Sequence, residues 1–105
     1  MTLVLAAMRD KDVVGMVREL GSHEALRDGR MIAVALRGPR AMGTAELRDT
    51  WLQERPGSQA GTARAPGEAL ELALASARSS GGPIVVAGSL ALVGAIRGIV
   101  LGSGV

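Results

Sequence analysis

Three polar turns punctuate the chain, and each follows an uncharged apolar run. They are Arg9-Asp10-Lys11-Asp12 after residues 3–8, Arg37-Gly38-Pro39-Arg40 after residues 31–36, and Gly88-Ser89 after residues 84–87. Between them they hold a lysine flanked by carboxylates, two arginines around a Gly-Pro break, and a hydroxyl beside a glycine. Other chemistry is thinly provided. There is no cysteine, which removes a disulfide framework and a thiolate metal site, and the lone His23 stands in a polar turn and cannot build a histidine cluster. His23 admits a catalytic reading, but a surface loop is the one adopted. No Gly-x-x-x-x-Gly-Lys-Ser/Thr loop is present to cradle phosphates, nor any metal-binding acidic cluster. What remains for the three turns is ligand binding.

The elements that must position those turns follow from periodicity. Residues 3–8 are continuously apolar, as in a strand buried on both faces, and after Asp12 the residues Val13, Met16, Val17 and Leu20 recur at helical spacing. Asp12 is placed to cap that helix and Gly21 to end it. The unit then repeats. Met31 to Leu36 reads as a strand, Gly38-Pro39 breaks it, and Thr44 can cap a helix that turns Leu47, Trp51 and Leu52 inward. From Gln53 to Arg64 the composition reads as a loop, with a short strand near Gly61 to Ala65. Pro66 suits a first helical turn, and Ala69, Leu70, Ala73, Leu74 and Ala77 make one face of a helix that stops at Gly81-Gly82. Strands apolar throughout, alternating with helices, predict a parallel sheet covered on both faces. In such folds ligands gather at the carboxyl ends of the strands, where all three polar turns fall.

Pro83 to Leu101 admits two incompatible readings. As a membrane span it has about the right length, and its Ile, Leu and Val residues contribute roughly −3 to −6 kcal/mol to insertion, against up to about 3 kcal/mol for Arg97. Gly94 and Gly98 even match a small-xxx-small helix-pairing spacing. As a globular segment, Ile84 to Ala87 is a strand, Gly88 permits a tight turn, and Ser89 accepts a hydrogen bond from an orphan amide of the next helix. On that helix Leu92, Val93, Ile96, Ile99 and Val100 fill one arc, opposite Ala91, Gly94, Ala95 and Gly98. A helix resting on a sheet needs that division, whereas a lipid-facing one does not. The upstream units supply the sheet, so the globular reading is adopted.

Length and charge bound the partners. At 105 residues the chain suffices for one domain and one core. Its 12 basic residues, nearly all arginine, alternate with 10 acidic ones to a net charge of +2, which reads as solvated faces. Trp51, the only aromatic residue, offers almost no stacking platform, so nucleic acid is not expected as a partner. The opening Met-Thr-Leu-Val-Leu-Ala-Ala-Met lacks a basic region and runs straight into charges, so no secretory signal, no membrane attachment and a cytoplasmic location are expected.

With the elements in order, "MRDKDVVGMVREL" (8–20) and "VVAGSLALVGAIRGIVL" (85–101) resemble the carboxyl-terminal domain of bacterial folylpolyglutamate synthase and dihydrofolate synthase, in the Mur ligase superfamily. The family pattern there is an apolar strand, then Ala-Asp-Lys-Asp and a helix, and later Val-Val-Thr-Gly-Ser-Leu-Tyr-Leu-Val-Gly-Glu-Val-Arg. Pro39-Arg40-Ala41 resembles a Pro-Arg-Ala segment after the family's next strand, and "PGEALELALASAR" its penultimate helix. The likeness runs in order through nearly the whole chain.

The resemblance implies an α/β, Rossmann-like three-layer sandwich with a mostly parallel sheet, spanning residues 1–105. It implies the carboxyl-terminal domain of an ATP-dependent ligase that adds glutamate to a folate carboxylate through an acyl phosphate. On this resemblance Asp10, Lys11, Asp12 and Ser89 would bind the incoming glutamate: Lys11 as the cation, Asp10 and Asp12 fixing it or touching the amine, Ser89 and helix-start amides holding a carboxylate. Arg40 would contact an anionic group of substrate or nucleotide. The plainer alternatives are helix caps for Asp12 and Ser89 and surface ion pairs for Lys11 and Arg40. Departures matter equally. The family's P-loop, its central domain and its Asp-Gly-Ala-His-Asn-Pro strand-helix unit are not in this sequence, and Ala91 and Ala95 stand where Tyr and Glu are usual. ATP and Mg would therefore serve the full-length enzyme and not this chain, which would need the ATPase domain as partner. The alternative is a non-catalytic binding or assembly module that pairs with itself through a sheet edge left uncovered by the absent unit.

Overall fold

The computed structural model describes residues 2–7, 12–22, 29–35, 41–81, 83–87, 93–94 and 96–99. Their elements run β1 (Thr2–Leu5), α1 (Val13–Ser22), β2 (Arg30–Val34), α2 (Thr44–Glu54), β3 (Gln59–Ala63), α3 (Pro66–Ser80) and β4 (Ile84–Ala87). Helical backbone follows at residues 93–94 and 96–99. The strands form one sheet in the order β3-β2-β1-β4, with every neighbouring pair parallel.

Side-chain alternation splits the core in two. Leu3, Leu5, Ala7, Met31 and Ala33 join Val13, Val17, Leu47 and Trp51 of α1 and α2 on one face. On the other, Val4, Ala6, Ile32, Val34 and Ala63 join Ala69 and Ala73 of α3, with Ile96. Burial on both faces is why β1 and β2 read as unbroken apolar runs. Each large side chain enclosed in this way contributes about 1.5–3 kcal/mol. Thr2 is the polar exception, buried but donating from Oγ1 to the Ser76 hydroxyl of α3 at 3.2 Å.

Handedness explains which helix lies where. The chain steps from β1 to β2 to β3 in one direction, so right-handed crossovers put α1 and α2 on the same face. From β3 it returns past two strands to β4 on the far side of β1. A right-handed crossover in that reversed direction carries α3 to the opposite face.

Several elements differ from the sequence reading. Thr44 is not the cap of α2: Gly43 holds the cap position, extended and with no side-chain hydrogen bond, and Thr44 is the first helical residue. The cause is a long-range bond, because the Met42 amide donates to the Ala7 carbonyl at 2.9 Å and fixes the entry to the helix one residue early. α1 continues past Gly21 to Ser22. The loop after α2 shrinks to a few residues, since β3 occupies Gln59–Ala63 and leaves Arg64-Ala65 to turn into Pro66. Leu74 is 42% exposed, because α3 approaches the sheet through the small residues Ala69 and Ala73. After β4 the expected arc buries Ile96, whereas Val93 and Ile99 are 38% and 37% exposed; Leu92 and Val100 lie outside the described residues. Ile84–Ala87 pairs residue for residue with Thr2–Leu5, so Pro83 to Leu101 is not one continuous helix. Among the described residues no helix is long and apolar enough to cross a membrane.

Candidate functional site

The reversal of strand order falls between β1 and β4, which pair from Thr2↔Ile84 to Leu5↔Ala87. Beyond Ala7 the chain returns as α1 on one face. Beyond Ala87 it returns with Ile96 packed on the other. In open parallel sheets such a reversal point, at the carboxyl ends of the two strands, is the usual place for a ligand.

A third segment is held across the same edge. The Met42–Ala7 hydrogen bond brings the β2–α2 connection over the end of β1, and Met42 is buried there. Ala41, the neighbour of Arg40 in sequence, is thus held at the carboxyl end of β1. Asp12 precedes α1 as its cap: Oδ1 accepts from the Gly15 amide at 3.0 Å, and the Asp12 carbonyl accepts from the Met16 amide at 3.0 Å. Gly15 is needed for that arrangement. A Cβ on it would lie 2.8 Å from Asp12 Cγ and would strike Oδ2 as well. Of the expected site residues, Asp12 is therefore placed, and placed as a cap. Asp10, Lys11, Arg40 and Ser89 lie outside the described residues, as does His23.

Two further groups were not foreseen. Arg18 of α1 pairs with Glu54 at the end of α2, through Nε at 2.9 Å and a second contact at 3.4 Å, and so ties the two helices on their outer side. The Glu54 hydrogen bond, then its charge, raise the Arg18 pKa above an already strongly basic value, with a smaller contribution from Asp12. Arg55 stacks on Trp51, its guanidinium carbon 5.4 Å from the ring centre. The four-residue spacing of Trp51 and Arg55 across the end of α2 was the available signal. Among the described residues no group of three His, Cys, Asp or Glu is arranged to hold a metal ion.

No family model matches the chain, and no curated protein does. Its fold does match solved structures. It is similar to folylpolyglutamate synthase of Mycobacterium tuberculosis crystallised with ADP and AMPPCP, at a TM-score of 0.77 and 25% identity, over 93% of this chain and 23% of that one. The same enzyme complexed with ADP gives a TM-score of 0.78 at 21% identity, with the same coverage. The chain thus spans under a quarter of the length of the enzyme it matches, consistent with correspondence to a carboxyl-terminal domain. The α/β architecture and the resemblance read from the sequence both agree with these matches.

Proposed function

We propose that this chain is the amino-acid-binding domain of a folylpolyglutamate synthase-type ligase, acting in folate and one-carbon metabolism in the cytoplasm. One observation supports this above the others. The strand order makes β1 and β4 neighbours at the reversal point, so the turns with the family-like motifs, Asp10-Lys11-Asp12 and Gly88-Ser89, follow adjacent strands. In this reading Lys11 is the fixed cation for one carboxylate of glutamate, with Asp10 holding it or meeting the amine. Ser89 and the amides of the following helix start take a second carboxylate. Arg40 pairs with an anionic group of folate or nucleotide. Asp12 serves indirectly, by fixing the first turn of α1.

On this reading the family's ATP and Mg serve the full-length enzyme and not this chain. The sequence has no phosphate-cradling loop, and the described residues form no acidic cluster for a metal. Activation of the carboxylate then belongs to a partner ATPase domain, and the purified chain should catalyse neither ATP hydrolysis nor ligation. Titrating glutamate against an amide NMR spectrum tests the reading. Amides next to Lys11 and Ser89 should shift, and Lys11→Met and Ser89→Ala should each weaken the response. Turnover by the chain alone, or shifts confined to other regions, would refute it.

A second reading is a non-catalytic assembly module. It is favoured by β4, an edge strand of the described sheet built from four uncharged, half-buried residues, Ile84–Ala87. Light scattering behind size exclusion decides it, since a clean monomer at high concentration excludes self-pairing.

A further inference from the structure

We propose that Met42 is a positioning residue for the candidate site: its backbone N–H and its buried side chain lock the β1–α1 turn and the β2–α2 connection to one point at the carboxyl edge. The proposal rests on the reading of that edge as the glutamate site. β1 outruns its ladder. Its last paired residue is Leu5, matched with Ala33 on one side and Ala87 on the other. Ala6 and Ala7 continue beyond it and are buried as deeply as the strand itself. A carbonyl enclosed in this way needs a donor, and that of Ala7 accepts from the Met42 amide at 2.9 Å. The donor comes from eight residues past the end of β2 at Val34, just before α2 begins at Thr44.

The side chain fixes the same point a second time. Met42 is 6% exposed and belongs to the core cluster that holds Leu5 and Ala7 of the β1 segment, Val13 of α1, and Leu47 and Trp51 of α2. An unbranched thioether suits the irregular gap where three elements meet. Each segment is thereby held by its ends. The β1–α1 turn starts from Ala7 and finishes at Asp12, whose carboxylate accepts from the Gly15 amide at 3.0 Å. The β2–α2 connection finishes at Met42, and the next carbonyl, that of Gly43, already accepts from the Leu47 amide at 3.0 Å. In sequence Lys11 is four residues from Ala7 and Arg40 two from Met42, so a ligand that meets both segments meets groups tied to one anchor. Such preorganisation lowers the ordering cost of binding.

Met42→Ala and Leu47→Ala each empty part of the same core cluster and should each lower the urea midpoint, but only the first touches the shared anchor. Glutamate is titrated into the parent chain and both variants by amide NMR, at a temperature where circular dichroism shows all three folded. Met42→Ala should weaken binding about threefold or more, Leu47→Ala should leave it within about twofold, and Met42→Leu, which nearly conserves volume, should restore the parent affinity. Should either alanine variant fail to fold, valine replaces alanine at both positions. A second readout needs no ligand. Met42→Ala should shift the amides of residues 9–11 and 37–40 together and speed hydrogen exchange at the residue-42 amide, and Leu47→Ala should do neither. If the parent chain binds no glutamate, the proposed function fails while this readout still tests the anchor. Unchanged affinity in Met42→Ala where the parent binds, residues 9–11 unmoved by that substitution, or equal weakening by Leu47→Ala each overturns the proposal.

Discussion

Gly15 and Asp12 should behave as one unit, and a double-mutant cycle measures it. Glycine inside a helix normally costs about 0.5–1 kcal/mol relative to alanine, so Gly15→Ala alone would be expected to stabilise α1. Here the new Cβ would sit 2.8 Å from Asp12 Cγ and 3.1 Å from Oδ1, and the capping carboxylate must swing away. Losing that cap costs typically about 1 kcal/mol. In the parent chain Gly15→Ala should therefore be neutral or destabilising by up to about 0.5 kcal/mol. In an Asp12→Ala background, where no carboxylate stands in the way, the same change should stabilise by about 0.5–1 kcal/mol. The coupling is about 1 kcal/mol, equivalent to roughly 4–8 °C in Tm for a domain of this size. Urea unfolding followed by Trp51 fluorescence reads all four corners of the cycle. Equal stabilisation in both backgrounds would show that the carboxylate does not sit over the Gly15 amide. Asp12→Asn separates the roles further, since asparagine caps as well as aspartate. If Asp12 serves only by capping, that variant keeps both stability and glutamate binding.

Ala73, fully buried between α3 and the sheet, leaves no room for a larger residue, so Ala73→Leu should destabilise by about 1–3 kcal/mol in the same urea assay. Gly81 closes α3 at φ 76° and ψ −179°, a region open almost only to glycine; Gly81→Ala should cost about 1–3 kcal/mol by melting temperature, while Gly94→Ala, whose Cβ meets nothing, should not destabilise. The Arg18–Glu54 pair raises an already basic pKa, so its contribution is fully present below the unfolded value and is lost only as pH rises through the still higher folded one. Melting curves from pH 7 to 10 should show no inflection removed by Arg18→Gln.

What could be read from the sequence was what local chemistry decides alone. The unbroken apolar runs around Leu3 and Ile32 announced doubly covered strands, Asp12 its cap, Leu47 and Trp51 their inward face, and Pro66 the start of α3. Errors arose where a distant partner decides. Thr44 is a better cap than Gly43 by type, but the Met42–Ala7 bond sets the register. Leu74 belongs to the apolar arc of α3, yet the alanines beside it let the helix approach so closely that the flank stays in water. Val93 and Ile99, in the same arc as buried Ile96, are likewise partly exposed. The adjacency of β1 and β4 is a topological fact: only the return of the chain to the far side of β1 makes their ends neighbours, and no periodicity encodes that return.

The magnitudes at the carboxyl edge limit what a domain of this kind can hold alone. A helix start contributes about 0.3–1 kcal/mol towards an anion, an exposed ion pair about 0–1, and a charge-assisted hydrogen bond about 1.5–3. Their sum, roughly 2–5 kcal/mol, corresponds to a Kd of about 0.2 mM or weaker. On the proposed reading, Lys11 and Ser89 would not grip glutamate tightly in open water. A partner domain closing over this edge would exclude water and lower the local dielectric, strengthening each of the same contacts. Screening distinguishes the two states. Glutamate binding by the chain alone should fade as salt rises through the physiological range, whereas binding in a complex with an ATPase partner should be tighter and far less salt-sensitive. Salt-independent, micromolar binding by the chain alone would mean that its own residues already enclose the ligand, and the open-site reading would fail.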